Sequence, residues 1–188
     1  MRREPNGRER LFVNGRPFRV IIGVLSDTHG NVPLMLAVAD VAARICRADR
    51  LFHLGDDFSD AEVLRDAGYN VTAVPGLWCP EYHHPHVSKR IVEDIDGLTL
   101  VAVHAPKDLL PQDYEADLIL TGHTHRAKIE RVGKALHVNP GHLKINDRTG
   151  VPPSFAMVRI ESHAIGASLH HVDGTTWKEI HVERIRHA

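Results

Sequence analysis

Two aspartates, Asp27 and Asp56, and four histidines stand where polar runs interrupt apolar ones, in Asp27-Thr28-His29, Gly55-Asp56-Asp57, His104 and Gly122-His123-Thr124-His125. Carboxylate oxygen and imidazole nitrogen together suit manganese, iron, zinc or nickel. A single catalytic zinc takes three protein ligands, so six ligand-type residues fit two ions sharing a bridging carboxylate more economically than one. Composition points the same way, because histidine supplies 15 of 188 residues and imidazole is the commonest metal ligand. The two cysteines, Cys46 and Cys79, form no Cys-x-x-Cys pair, which argues against a cysteine-rich zinc module and a disulfide framework.

The clusters need strand ends to carry them. Val20 to Leu25 is an apolar run that stops at the polar turn Ser26 to Asn31, with Gly30 where the backbone bends. Apolar residues then recur at helical spacing from Val32 to about Arg47, with Asn31 as the cap and Pro33 in the first turn. Leu51 to Leu54 is a second strand, also ending in a polar turn. The capping-box pattern Ser59-Asp60-Ala61-Glu62 predicts a helix to about Ala67, stopped by Gly68, and Asn70 to Val74 a third strand. Strand and helix in alternation predict a parallel sheet whose ligands bind beyond the carboxyl ends.

The second half predicts mainly antiparallel pairing. Val87 to Ile95 and Leu98 to His104 flank the turn Asp96-Gly97, Asp117 to Leu120 is a short strand, and Ala127 to Val132 and Ala135 to Val138 flank Gly133-Lys134. Phe155 to Ile160, Ala164 to Val172 and Thr176 to Ile185 close the chain as a meander. At the start, Leu11-Phe12-Val13 and Phe18 around Asn14-Gly15 predict an edge hairpin, giving an extension over 1–19 ahead of one domain over 20–188.

Charge narrows the partners. Lys plus Arg is 23 against 24 for Asp plus Glu, a net charge of -1, so no strong field favours nucleic acid or an anionic membrane. No run approaches the roughly 20 apolar residues of a membrane helix or the length of a signal peptide, and the expected location is a reducing cytoplasm. The late histidines His137, His163, His170, His171, His181 and His187 are expected on solvated strand faces or the terminus, and His53 in the core.

Taken in order, Ser26-Asp27-Thr28-His29-Gly30-Asn31, Leu54-Gly55-Asp56-Asp57, Val103-His104, Gly122-His123-Thr124-His125 and Asn139-Pro140-Gly141 resemble the motifs of the calcineurin-like metallophosphoesterase superfamily. The match is to its small bacterial and archaeal phosphodiesterase branch, which shares its fold with the retromer scaffold subunit, and covers about Val20 to Ile185. The resemblance implies an α/β fold, a two-sheet mixed β-sandwich flanked by helices in a single domain. It implies two divalent ions, Mn²⁺ favoured and Fe, Zn or Ni possible, with Asp27, His29 and His125 on the first, His104 and His123 on the second, and Asp56 bridging. Asp56, His104 and His123 would be the catalytic residues for in-line attack of a metal-bridging hydroxide on a phosphodiester. Asn31 and Asn139 would tether loops or touch phosphate, and a homo-oligomer is compatible with the branch.

One motif departs. The family follows its third strand with Gly-Asn, whose Asn ligates the second ion, whereas this chain reads Val74-Pro75-Gly76-Leu77-Trp78-Cys79-Pro80-Glu81. Glu81 is the first choice to replace the missing ligand, with Cys79, one of His83, His84 and His86, or no residue as alternatives. The family histidine that protonates the leaving group is absent too. A one-metal hydrolase and a non-catalytic scaffold of the same fold therefore stand beside the phosphodiesterase.

Overall fold

The apolar run after the extension forms strand β1 (Arg19–Leu25), whose alternate residues serve two cores. Ile22 and Val24 face a second sheet, while Ile21 and Leu25 face helices, which is why the run reads as continuously apolar. This computed structural model describes residues 19–145 and 150–183. Ahead of them it describes only short backbone pairings, Arg2–Arg3 with Glu9–Arg10 and Phe12–Val13 with Arg16–Pro17. The expected hairpin turn Asn14-Gly15, with Leu11 and Phe18, lies outside the described residues, as do Ile185 and His187.

Helix α1 (Val32–Asp40) follows β1 and runs on into a π-helical turn, Val41–Ile45. Asn31 holds the N-cap position but makes no side-chain cap there; its amide donates to the Leu143 carbonyl at 2.8 Å instead. Then come β2 (Arg50–His53), α2 (Ser59–Asp66) and β3 (Val71–Ala73). The α2 cap falls earlier than the capping-box pattern suggests: Asp57 Oδ1 accepts from the Ser59 N–H (3.1 Å) and hydroxyl (2.9 Å). Later strands are β4 (Arg90–Ile95), β5 (Leu98–Val103), β6 (Leu118–Leu120), β7 (Lys128–Val132), β8 (Ala135–Asn139), β9 (Ser154–Glu161), β10 (Ala164–His171) and β11 (Thr176–Glu183).

Two mixed sheets result, ordered β11-β10-β9-β1-β2-β3 and β7-β8-β6-β5-β4. Between them lie Phe52, Leu54, Leu100, Leu118, Leu120, Val138 and Val158, all fully buried. Each such side chain contributes about 1.5–3 kcal/mol by leaving water. Helices cover only the outer face of the six-stranded sheet, through Met35, Val38 and Leu64. On the other sheet a chain segment with two 3-10 turns, Pro106–Asp108 and Pro111–Glu115, does that work, with Leu109 and Ala116 packed on Val101 and Ile119. Asp113 pins it by taking both guanidinium nitrogens of Arg90.

The second half pairs mainly antiparallel, as the pattern predicts, with one strand as the exception. β6 runs parallel to both β5 and β8, with Leu118 opposite Leu100 and Leu136. No α-helix marks these crossovers, so the sequence pattern lacks the usual sign of parallel pairing. The topology matters because it brings the ends of β5, β6 and β8 to one edge, facing those of β1 and β2. Among the late histidines, His170 is buried and stacked on Phe155 (5.0 Å between centroids) rather than solvated.

Candidate metal centre

Backbone bonds extend the ladders past the strand ends and tie the polar loops together. Leu54 N–H donates to Leu25 (2.8 Å) and Asp27 N–H to Gly55 (3.0 Å); in the other sheet Gly122 N–H donates to His104 (2.9 Å). The sheets are joined through Asp27, whose Oδ2 accepts from the His123 N–H (2.8 Å) and the Ser26 hydroxyl (2.6 Å). Asn139 donates to the Gly122 carbonyl (2.8 Å) and Thr124 hydroxyl (3.1 Å), so both asparagines are loop tethers.

The loops are held in costly conformations. Among the described residues seven non-glycines have positive φ, and five are Asp27, His29, Asp56, His123 and His125. At about 1–3 kcal/mol each, such strain persists only where the surroundings over-determine it, and it gathers at functional sites. Two glycines make the packing possible. A Cβ on Gly76 would sit 2.1 Å from the Asp56 carbonyl oxygen, and one on Gly122 2.0 Å from the Ser26 hydroxyl.

With the backbone so placed, Asp27, His29 and His125 offer ligand atoms that all lie within 4.8 Å of one another. His29 Nε2 is 2.9 Å from His125 Nε2, which is 3.4 Å from Asp27 Oδ1. Donors about 2.1 Å from one ion in tetrahedral or octahedral geometry are roughly 3.0–3.4 Å apart, so this mixed set fits a borderline divalent cation. Asp56 stands beside this group, its Oδ2 3.0 Å from the other ring nitrogen of His29, Nδ1. His104 is buried and its Nδ1–H donates to the Leu54 carbonyl (2.6 Å), which leaves Nε2 with its lone pair; its ring lies 5.1 Å from that of His123.

The electrostatics suit cation binding. Burial pushes the Asp27 carboxyl up, but hydrogen bonds from His125 and Ser26 and the nearby His104 outweigh it and hold the group below its ordinary range. Burial lowers His29, against the pull of Asp56, and lowers His123, helped by His104. An ionised carboxylate beside neutral imidazoles is the protonation state that ligation needs.

The third loop is different. Among the described residues no second group of three ligand-type side chains converges, so His104 and His123 stand without a third-loop partner. Glu81 sits in the 3-10 turn Pro80–His83 beside Cys79, whose thiol is raised first by burial and also by that carboxylate. Cys79 Sγ donates to the Gly76 carbonyl (3.1 Å), Trp78 is 87% exposed, and His83, His84 and His86 are exposed.

Sequence reasoning takes His142 for a loop residue and places His53 in the core without its partners. His142 is buried against His125 (5.2 Å between centroids), with Nδ1 accepting from the Lys144 N–H, and its place after Pro140-Gly141 was the available signal. Behind the first loop, Thr28 pairs with the fully buried His53 (3.0 Å) and neighbours Asp60. Desolvation lowers His53 to about 4 and raises Asp60 to about 6. On the outer face of the five-stranded sheet, Thr121, Thr124, Arg126, His137 and Asn139 line a cavity of about 460 Å³, and Arg126 has no ion pair among the described residues.

Ligand-type side chains gathered at the carboxyl ends of strands from two mixed sheets define a metallohydrolase-type centre. The chain belongs to the calcineurin-like phosphoesterase superfamily, whose domain model matches residues 20–163. It is 24% identical over 155 residues to a probable metallophosphoesterase of Mycoplasma pneumoniae, covering 76% of this chain and 91% of that one. In fold it is similar to a phosphoesterase from E. coli (24% identity, 86% of this chain and 98% of that one, TM-score 0.66). It is also similar to a zinc complex of Vps29 from Entamoeba histolytica (20% identity, 87% and 99%, TM-score 0.59). No helix among the described residues is long and apolar enough to cross a membrane.

Proposed function

We propose that this protein is a divalent-metal-dependent phosphodiesterase, with Mn²⁺ the favoured ion. The observation that carries the reading is the convergence of Asp27, His29 and His125, beside Asp56, on backbone held at positive φ. Divalent cations bound there neutralise phosphoryl oxygens and lower the pKa of the water that attacks phosphorus. Asp27, His29 and His125 would hold the first ion, His104 and His123 the second, with Asp56 shared between them. His104 turns its unprotonated Nε2 away from Leu54, and Asp27 is fixed by Ser26 and the His123 backbone before any substrate arrives. Arg126, next in sequence to His125, is the cation proposed to meet the phosphodiester's unreacting oxygens. The preference for a diester rests on the branch that the sequence motifs resemble.

One observation favours a second reading, a one-metal hydrolase: only one three-residue ligand group converges among the described residues. The experiment is turnover of an activated aryl phosphodiester with Mn²⁺, run beside metal analysis of the same sample. Metal-dependent hydrolysis with two ions per chain supports the dinuclear reading, hydrolysis with one ion the second. Metal binding with no hydrolysis removes both and leaves the scaffold.

A further inference from the structure

At the opposite end of β1, a cavity of about 320 Å³ opens on the outer face of the six-stranded sheet. It lies roughly 20 Å from the metal centre, since six residues of strand separate Ile21 from Asp27 at about 3.3 Å each. The register places its wall in rows: Ile21, Arg159, Gly166 and His181 oppose one another across β1, β9, β10 and β11, and Met157, Ser168 and Glu179 form the next row. α1 loosens here into the π-helical turn Val41–Ile45, after which Arg47 takes φ +64, and Ile45, Cys46 and Arg47 form the opposite wall. Asp96 occupies a hairpin turn, so Arg47 is the one positive-φ non-glycine residue in the described structure that neither the metal centre nor a hairpin explains.

Three guanidiniums line the cavity, those of Arg19, Arg47 and Arg159, and none has an ion pair among the described residues. Of the nearby carboxylates, Glu179 lies 3.1 Å from His181, Asp49 accepts from the Ile21 N–H (2.7 Å), and Glu161, opposite Arg19 in the register, has an interaction of its own. Gly166 keeps the hollow open, since a Cβ there would meet His181 Nδ1 at 2.8 Å. The floor is apolar, formed by Ile21 and Met157, and Ile45 stands 68% exposed at the rim. Unpaired planar cations over an apolar floor match a phosphate joined to an apolar body, and the volume is that of a small-ligand site.

We propose that this cavity is a second binding site, for a phosphate monoester of mononucleotide size, with Arg19, Arg47 and Arg159 on the phosphate and Ile21, Ile45 and Met157 against the organic part. The site is separate from the metal centre and does not depend on the activity proposed for it. Calorimetric titration of the full chain in EDTA with adenosine monophosphate tests it, because chelation keeps the phosphate from a metal-loaded centre. Wild type and His123→Ala should bind one equivalent with equal affinity, while Arg47→Glu and Arg159→Glu, both on exposed side chains, bind at least tenfold more weakly with unchanged melting temperature. Absence of saturable binding, equal affinity for adenosine, or loss in His123→Ala with the arginine variants unaffected would overturn the proposal.

Discussion

The loops that leave β1 and β3 reach the same edge of the six-stranded sheet and use it differently. After β1, Asp27 and His29 turn into the centre on left-handed backbone, with Ser26, Asn31 and Thr28 each bonded to fix the turn. After β3, Gly76 packs against the Asp56 backbone, and the following side chains lead away: Trp78 to solvent and Cys79 back to Gly76. The third loop thus keeps a backbone role, support for Asp56, without supplying a converging ligand. A loop can lose its chemistry and still be needed for the chemistry of its neighbour.

The sharpest way to break this contrast is to remove side chains proposed as ligands from around the well-formed first loop. Asp56→Asn or His123→Ala should lower Mn²⁺-dependent turnover of an aryl phosphodiester roughly a thousandfold, the several kcal/mol of charge stabilisation that a metal site supplies. Turnover within tenfold of wild type, at unchanged melting temperature, would remove the assigned centre. Next, the backbone role of the third loop is tested by Gly76→Ala. The added Cβ pushes on Asp56 at 2.1 Å, so turnover should fall roughly a hundredfold through misplacement and stability by about 1–3 kcal/mol. Wild-type values in both assays would mean that the two loops are independent.

The support behind the first loop gives a pH signature. The unfolded chain protonates His53 near 6.5, but the buried imidazole resists until about 4. Its contribution is therefore present above pH 6.5 and lost as pH falls toward 4, about 3 kcal/mol in all. His53→Gln should abolish this part of the acid sensitivity, so the gap between urea midpoints of the two proteins must change between pH 7 and pH 4. A constant gap would show that His53 does not titrate as its burial requires. Last and smallest, Glu81→Gln should leave both turnover and metal content within about twofold, as for a surface substitution. A lost ion in that variant would make the third loop a ligand loop after all.

The ligand types and their places at strand ends were legible because each motif is local: an apolar strand, then Asp or His in a turn. Asp27, His29, His104, His123 and His125 all lie where that pattern put them, at one edge. The pairing that brings them together was less legible. β6 lies between two parallel partners with no crossover helix to signal it, and a 3-10 segment from Pro106 to Glu115 carries the connection. Burial of single histidines was hidden for a similar reason. His142 and His170 look like loop and strand-face residues in sequence, and only the tertiary placement of His125 and Phe155 gives them neighbours. The cap of α2 moved from Ser59 to Asp57 because a carboxylate two residues upstream competes for the same N–H.

The position of the ions decides between the loops most directly. Anomalous diffraction at the manganese edge from crystals soaked in Mn²⁺ should show a peak bonded to Asp27, His29 and His125, with Asp56 reaching a second peak beside His104 and His123. No peak at that cluster, or a peak held by Cys79 and Glu81 in its place, would contradict the assignment of the metal centre.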